Sequence, residues 1–276
     1  MSVNLILICR KCTFLIALLL IQQICLGQQA FEPVKQWLKN NLDEMGGRAV
    51  LLIYKDGKIL YQQVENDLSR RQRMVNRIIS KKLKSQNTET EDFSLQSKQP
   101  IASCSKWLSA ALVMTFVDEG KLSLEDSVGK YLPYMTSYGK GGIKIWHCLA
   151  HLTGIKTGSL KESIKITSTA SSMDDAIKAF AALPFEGKPG KTFHYSNTGL
   201  QITAAVIEKI SGKDFRTLFQ ERIALPCEMN QTDFGTGNIP LPAGGARSTP
   251  EDYIHFLSMI LNKGKFNGKQ VLSEQA

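Results

Sequence analysis

The sequence is poor in the residues that build metal centres and disulfide scaffolds. Its four histidines and six cysteines fall into no zinc-ligand cluster. His147 and His151 stand four apart, a spacing that on a helix sets two imidazoles on one face. No glutamate follows His147, however, as a zinc-protease helix requires. No metal and no other cofactor is expected. Cys9, Cys12 and Cys25 sit near the N-terminus, which leaves Cys104, Cys148 and Cys227. That odd number without framework spacing reads as buried thiols, with at most one disulfide, and excludes a stapled scaffold. The chain has no internal repeats. Its apolar run over residues 12–21 is short for a membrane span of about 20 residues and is broken by Gln22-Gln23.

The formal charge of +9 is spread along the chain except for one cluster, so composition does not argue for nucleic acid, and none is expected as a partner. Ordinary apolar content excludes a disordered chain, and 276 residues suffice for one large domain or two lobes with a real core. The N-terminus reads as a secretory signal. Arg10 and Lys11 give the positive flank, residues 12–21 the apolar stretch, and Cys25-Leu26-Gly27 the small residues before a cleavage site at Gln28. Ile24 argues against lipidation of Cys25; an uncleaved anchor is the competing reading. The expectation is a signal peptide over 1–27, one domain over 28–276, and a secreted or periplasmic location.

Hydrophobic period and punctuation give the elements. Phe31, Val34, Trp37, Leu38, Leu42 and Met45 have a helical spacing that Gly46-Gly47 stops. Residues 49–54 form a continuous apolar run, which suits a strand buried on both faces. Asp56-Gly57 is a hairpin turn signal, and 59–63 return as the partner strand. Residues 66–98 then change character: Arg70, Arg71, Arg73, Arg77, Lys81, Lys82 and Lys84 crowd into a polar surface insertion. A solvated loop is the ordinary reading of it; a weak contact with the anionic cell envelope is the functional one. Further helices are expected from Lys106 to Gly120, over 145–149, over 176–183 with Ser171 or Ser172 as cap, over 198–210 ending at Gly212, and over 215–225. The last starts at Thr249-Pro250-Glu251-Asp252, with cap, N1 proline and first-turn acids, and runs to Leu261.

Two short patterns carry chemistry. Ser103 and Lys106, three apart at a helix start, share a face about one turn apart. An amine held there beside a second base can take the hydroxyl proton. The serine amide also sits at the positive end of the helix, where an oxyanion can be held. Ser105 is adjacent to Lys106 and does not share its face. Cys104 points away from it, so Ser103 is the expected nucleophile. The second pattern is Tyr195-x-Asn197, just before the helix at 198. A phenol near an ammonium ionises below its free value of about 10 and can act as a base. The carboxamide of Asn197 can donate to a substrate carbonyl and accept from an amide.

Together, Ser103-x-x-Lys106 and Tyr195-x-Asn197 resemble the serine beta-lactamase and penicillin-binding-protein superfamily. The tyrosine resembles its class C beta-lactamase branch, with D-peptidase and esterase relatives. The resemblance extends to the hairpin over 50–61 and to His151-Leu152-Thr153-Gly154-Ile155, which is similar to a His-Thr-Ser-Gly segment. It includes the Pro189-Gly190 lead into Tyr195, and Ala243-Gly244-Gly245-Ala246-Arg247-Ser248-Thr249, similar to a Gly-Gly turn before a helix. It covers about residues 31–65 and 99–276. It implies an α+β fold in which an antiparallel sheet is flanked by helices, with an all-helical lobe over about 120–235. It implies catalysis by Ser103 through an acyl-enzyme, proton work shared by Lys106 and Tyr195, and substrate positioning by Asn197. Substrates would be a beta-lactam, a D-alanyl peptide of peptidoglycan or an ester, and the protein a monomer. The alternatives are an inactive penicillin- or peptide-binding relative and a non-functional fragment. Two departures stand out. The insertion at 66–98 is long for the family, and the third motif, Lys-Thr-Gly or His-x-Gly on a late strand, is absent. The chain is therefore expected to be a C-terminally truncated piece that lacks the strands closing the sheet.

Overall fold

A computed structural model describes residues 30–83, 92–156 and 158–276. Residues 1–27, on which the expected signal peptide falls, and the polar stretch 84–91 lie outside the described residues. The chain divides after Ser94 into two compact units.

The first unit is a helix, a hairpin and a second helix. Helix α1, Glu32–Asn40, carries Pro33 in its first turn and buries Leu38. It is shorter than the apolar spacing suggests: turns follow Asn40, and Trp37 and Met45 are exposed. Strands β1, Arg48–Lys55, and β2, Lys58–Asn66, pair antiparallel, with a register shift at Ile53/Tyr54. Asp56 and Gly57 both have positive φ, 50° and 82°, as a two-residue turn matching the strand twist demands. Phe31 stacks on Tyr61 with ring centroids 4.7 Å apart. β1 is half-buried along its length, not buried on both faces as its apolar run suggests, because its only sheet neighbour among the described residues is β2. The basic insertion contains helix α2, Arg70–Leu83. It starts with a capping box: the Ser69 hydroxyl accepts from the Gln72 N–H, and the Gln72 carboxamide accepts from the Ser69 N–H.

The second unit is helix-rich. A two-residue strand, β3 (Gln99–Pro100), leads through a 3-10 turn, Ala102–Cys104, into α3, Ser105–Asp118. Short helices α4 (Tyr134–Ser137) and α5 (Ile145–Leu149) follow, then α6 (Leu160–Thr169) and α7 (Met173–Ala182). Ser172 caps α7 through the Asp175 N–H, which settles the choice between it and Ser171. Helix α8, Thr198–Ser211, is buried continuously from Thr198 to Ile207. A helix apolar all round belongs at the centre of a core, and α8 does pack against α3, α5 and α7. Leu108, Leu112 and Phe116 of α3 meet Ile202 and Val206 of α8 in one cluster, joined by Phe215, Phe219 and Phe256. Helix α9, Phe215–Phe219, passes into a π turn over Gln220–Ala224, so the expected helix at 215–225 is two kinds of turn in series. Strand β4, Arg247–Ser248, pairs antiparallel with β3. Helix α10, Pro250–Leu261, begins at Thr249, whose hydroxyl accepts from the Asp252 N–H. A last hairpin joins β5, Lys265–Phe266, to β6, Lys269–Gln270. Small antiparallel sheets and many helices make this an α+β fold.

The α5–α8 crossing leaves no room for a side chain. A Cβ on Gly199 would stand 2.1 Å from the Cys148 carbonyl oxygen and 2.9 Å from its Cα, and backbone there cannot swing aside as a flexible side chain can. Gly199→Ala is therefore expected to force the two helices apart at a cost of about 1–3 kcal/mol. The test is the urea midpoint: an unchanged value would mean that the crossing is loose.

Candidate active site

The segment carrying Ser103 begins with a strained residue. Ala102 has φ of +44°, a left-handed conformation that costs a non-glycine residue about 1–3 kcal/mol and persists only where neighbours enforce it. Here they do. The buried Ser105 hydroxyl donates to the Ala102 carbonyl at 2.5 Å and accepts from the Ala246 N–H at 3.0 Å. The Ile101 N–H donates to the Ala246 carbonyl at 3.0 Å. Ser109, one turn further along α3, donates to the Pro242 carbonyl at 2.7 Å. The segment 242–246 is thus laced along one face of α3, and Ser103 is held exposed at the bend above it.

Lys106 occupies the middle of this seam. Its Nζ donates to the Ala243 carbonyl at 2.7 Å, to Asn197 Oδ1 at 3.1 Å and to Ser103 Oγ at 3.3 Å. An ammonium has three N–H bonds, and each finds an acceptor from a different segment. Nζ also lies 4.7 Å from the centroid of the Tyr195 ring. Burial pushes the Tyr195 phenol up. Hydrogen bonding with Ser103 and Lys106 and the charge of Lys106 outweigh it, so that the phenol ends below its ordinary value. The four residues singled out from sequence, Ser103, Lys106, Tyr195 and Asn197, are brought together by α3, α8 and the loop before α8. Asn197 is the N-cap residue of α8 by position, but its side chain makes no capping bond; it is committed to Lys106.

His151 supports the tyrosine. Its carbonyl accepts from the His194 N–H at 2.9 Å, and its Nδ1 accepts from the Ser196 N–H at 3.3 Å. Its ring lies 4.6 Å from that of Tyr195 and 6.1 Å from that of Phe193. Burial, aided by the charge of Lys106, pushes the His151 imidazole below its usual value, so near neutral pH it is an uncharged acceptor. The two-imidazole face suggested by the His147–His151 spacing does not form. Helix α5 stops at Leu149, and His151 has φ of +60°, which carries it towards Tyr195. His147 instead accepts from the Lys144 N–H through Nδ1 at 3.1 Å. The cysteines divide: Cys148 and Cys227 are buried thiols as expected, whereas Cys104 is exposed.

Residues 38–276 match the Beta-lactamase family. The chain belongs to the beta-lactamase family. Among curated proteins it is 24% identical over 228 residues to Uncharacterized protein MT1414 of Mycobacterium tuberculosis (strain CDC 1551 / Oshkosh), covering 64% of this chain and 57% of that protein. It is 26% identical over 199 residues to Protein flp of Staphylococcus aureus (strain COL), covering 69% and 35%. The chain thus spans between about a third and somewhat over half of these relatives' length. Among solved structures, one from Bacteroides dorei DSM 17855 superposes with a TM-score of 0.72 at 26% identity, covering 89% of this chain and 67% of that one. EstCE1, a hydrolase with promiscuous acyltransferase activity, gives 0.73 at 17%, covering 91% and 76%. The octameric penicillin-binding protein homologue from Pyrococcus abyssi gives 0.67 at 20%, covering 88% and 58%. The fold is that of the serine beta-lactamase and penicillin-binding-protein superfamily.

In this beta-lactamase-family chain, sequence spacing did not reveal Ser105 as the clamp on Ala102, the Ala243 carbonyl as a seat for Lys106, or His151 as the support of Tyr195. Backbone acceptors leave no mark in a sequence; the only available signal was the small-residue run Ala243-Gly244-Gly245-Ala246, which permits close approach to α3. The electrostatics can be tested directly. Tyr195 is expected to ionise below the value of about 10 for a free phenol. Lys106→Met removes the positive charge that stabilises the phenolate, so the midpoint should rise. Ultraviolet difference titration of wild type against Tyr195→Phe isolates this phenol among seven tyrosines. An unmoved midpoint in Lys106→Met would show that the ammonium does not act on it.

Proposed function

We propose that the protein is a serine hydrolase that cleaves a beta-lactam, a D-alanyl peptide or an ester through an acyl-enzyme on Ser103, in the manner of class C-related enzymes. The observation that carries this reading is the contact of Lys106 Nζ with Ser103 Oγ at 3.3 Å beside a phenol held below its usual value. Tyr195 acts as the base: in its phenolate form, which the charge of Lys106 favours, it takes the Ser103 proton as Oγ attacks the substrate carbonyl. The Ser103 N–H, in the turn leading into α3, is the donor assigned to the developing oxyanion. As the tetrahedral adduct collapses, the bond to the leaving group breaks and Tyr195 returns the proton to that group. Water then enters, loses a proton to Tyr195 and attacks the ester carbon, and Ser103 is released with its hydroxyl restored. Asn197, fixed by Lys106 through Oδ1, presents its Nδ2 donors to the substrate.

Membership in a family with hydrolase folds supports the reaction class. The signal-like N-terminus supports an exported protein acting in the cell envelope, where the basic helix α2 would lend a weak contact with anionic surfaces. In the full-length protein, Ser103→Ala is expected to lower turnover of a nitrophenyl acetate by at least about a thousandfold, as loss of an attacking group does elsewhere. It is also expected to remove fluorophosphonate labelling. Equal turnover in Ser103→Ala would exclude Ser103 as the nucleophile.

A further inference from the structure

A cavity of about 200 Å³ opens beside Ser103. Its walls include Ile164 of α6, Leu241 and Gly244, with Asn197 and Gln201 along α8. Among the described residues, no charged side chain is in its lining. An ionised group there would lose its hydration, which is costly, and the nearby Lys106 ammonium already gives its three N–H bonds to Ser103, Asn197 and the Ala243 carbonyl. An apolar cavity of about 150 Å³ holds a benzene molecule, so this one accommodates a single ring or a branched chain of similar bulk, and is too small for a long acyl tail.

The polar groups at its inner wall are specific. Asn197 and Gln201 are one helical turn apart on the same face of α8. Gln201 is 1% exposed. Its Nε2 donates to the Pro240 carbonyl at 3.0 Å and to Met173 Sδ at 3.0 Å. Both partners can only accept, so chemistry fixes the orientation of the carboxamide and leaves Oε1 as the polar atom that Gln201 can offer the cavity. Asn197 is fixed the opposite way: its Oδ1 is taken by Lys106, which leaves Nδ2 as a donor. Thr167, also in the lining, already spends its hydroxyl proton on the Ser163 or Ile164 carbonyl. Moving inward along α8, the cavity therefore presents a donor near the nucleophile and then an acceptor.

We propose that Gln201 is a specificity-determining residue, and that the cavity takes an uncharged, ring-sized acyl group bearing one hydrogen-bond donor, a hydroxyl or an amide N–H, directed at Gln201 Oε1. This rests on the hydrolase reading above and narrows its substrate class. A buried acceptor rejects an acyl group that lacks the donor, because it would be left unpaired.

The experiment uses nitrophenyl esters of mandelic, phenylacetic, acetic, succinic and palmitic acids with the full-length protein. Mandelate and phenylacetate differ by one hydroxyl. The expected kcat/KM ratio of mandelate to phenylacetate is at least about 10, with succinate and palmitate the poorest substrates. In Gln201→Met, which keeps the volume and removes the acceptor, the ratio should fall to near 1. Because Gln201 is buried and its replacement could unfold the chain, Gly244→Val gives an independent reading. A Cβ at Gly244 meets nothing within 4 Å, and Gly244 is part of the lining, so a side chain there takes up cavity space without a backbone clash at Cβ. It should shift preference from phenylacetate towards acetate. A mandelate ratio near 1 in the wild type, an unchanged ratio in folded Gln201→Met, or preference for succinate would overturn the assignment while leaving the hydrolase reading intact. Absence of both ester turnover and Ser103 labelling by a fluorophosphonate would overturn that reading and this one with it.

Discussion

An ammonium drawn partly out of water needs an acceptor for each of its three N–H bonds, and Lys106 takes them from three segments far apart in the chain. Ser103 comes from the turn before α3, Asn197 from the head of α8, and the Ala243 carbonyl from the loop before β4. No one of these contacts is remarkable in strength; a hydrogen bond to a charged group contributes about 1.5–3 kcal/mol. Their shared donor is what matters. Displacing any acceptor leaves part of a half-buried cation unsatisfied, so Ser103, the Asn197 carboxamide and the loop must stay in register. The same charge acts on the phenol of Tyr195, which ties that side chain to the same centre.

The scaffold makes that arrangement affordable. Helices α3 and α8 lie side by side in the core, and their N-terminal ends emerge together at the site. Because α8 is buried through Ile207, its head cannot drift without opening the cluster around Phe116 and Phe219. The Ser105 and Ser109 hydroxyls then hold the 242–246 segment against α3 through that segment's backbone groups. Rigid helices on one side and a laced loop on the other allow Ala102 to remain left-handed, and that bend is what lifts Ser103 into the open.

Much of this was legible in the residues. The hairpin followed from Asp56-Gly57 between apolar runs, the start of α10 from Thr249-Pro250-Glu251-Asp252, and the heart of the site from two spaced pairs, Ser103 with Lys106 and Tyr195 with Asn197. What was hidden is equally particular. The burial of β1 depends on how many sheet neighbours it has, which its own sequence cannot state. The short helix over 145–149 was expected, but the left-handed His151 that follows it and turns towards Tyr195 was not. Spacing already set Ser105 aside as a nucleophile, but only its burial and its two backbone partners show it to be a clamp. Gln201 is polar within an apolar helix and could have drawn notice for that alone, yet its role depends on which of its two amide atoms is already taken.

If Lys106 and Tyr195 work as one proton-handling unit, their contributions to acylation of Ser103 cannot be independent. The most direct measurement is a double-mutant cycle on the acylation rate with Lys106→Met, Tyr195→Phe and the combined variant, read by pre-steady-state release of nitrophenol. The account predicts strong non-additivity: the double variant should be hardly slower than the slower single variant, as for other residues that act as a unit. Losses that multiply, so that the two free-energy changes simply add, would contradict it and would mean that the ammonium and the phenol serve the reaction separately.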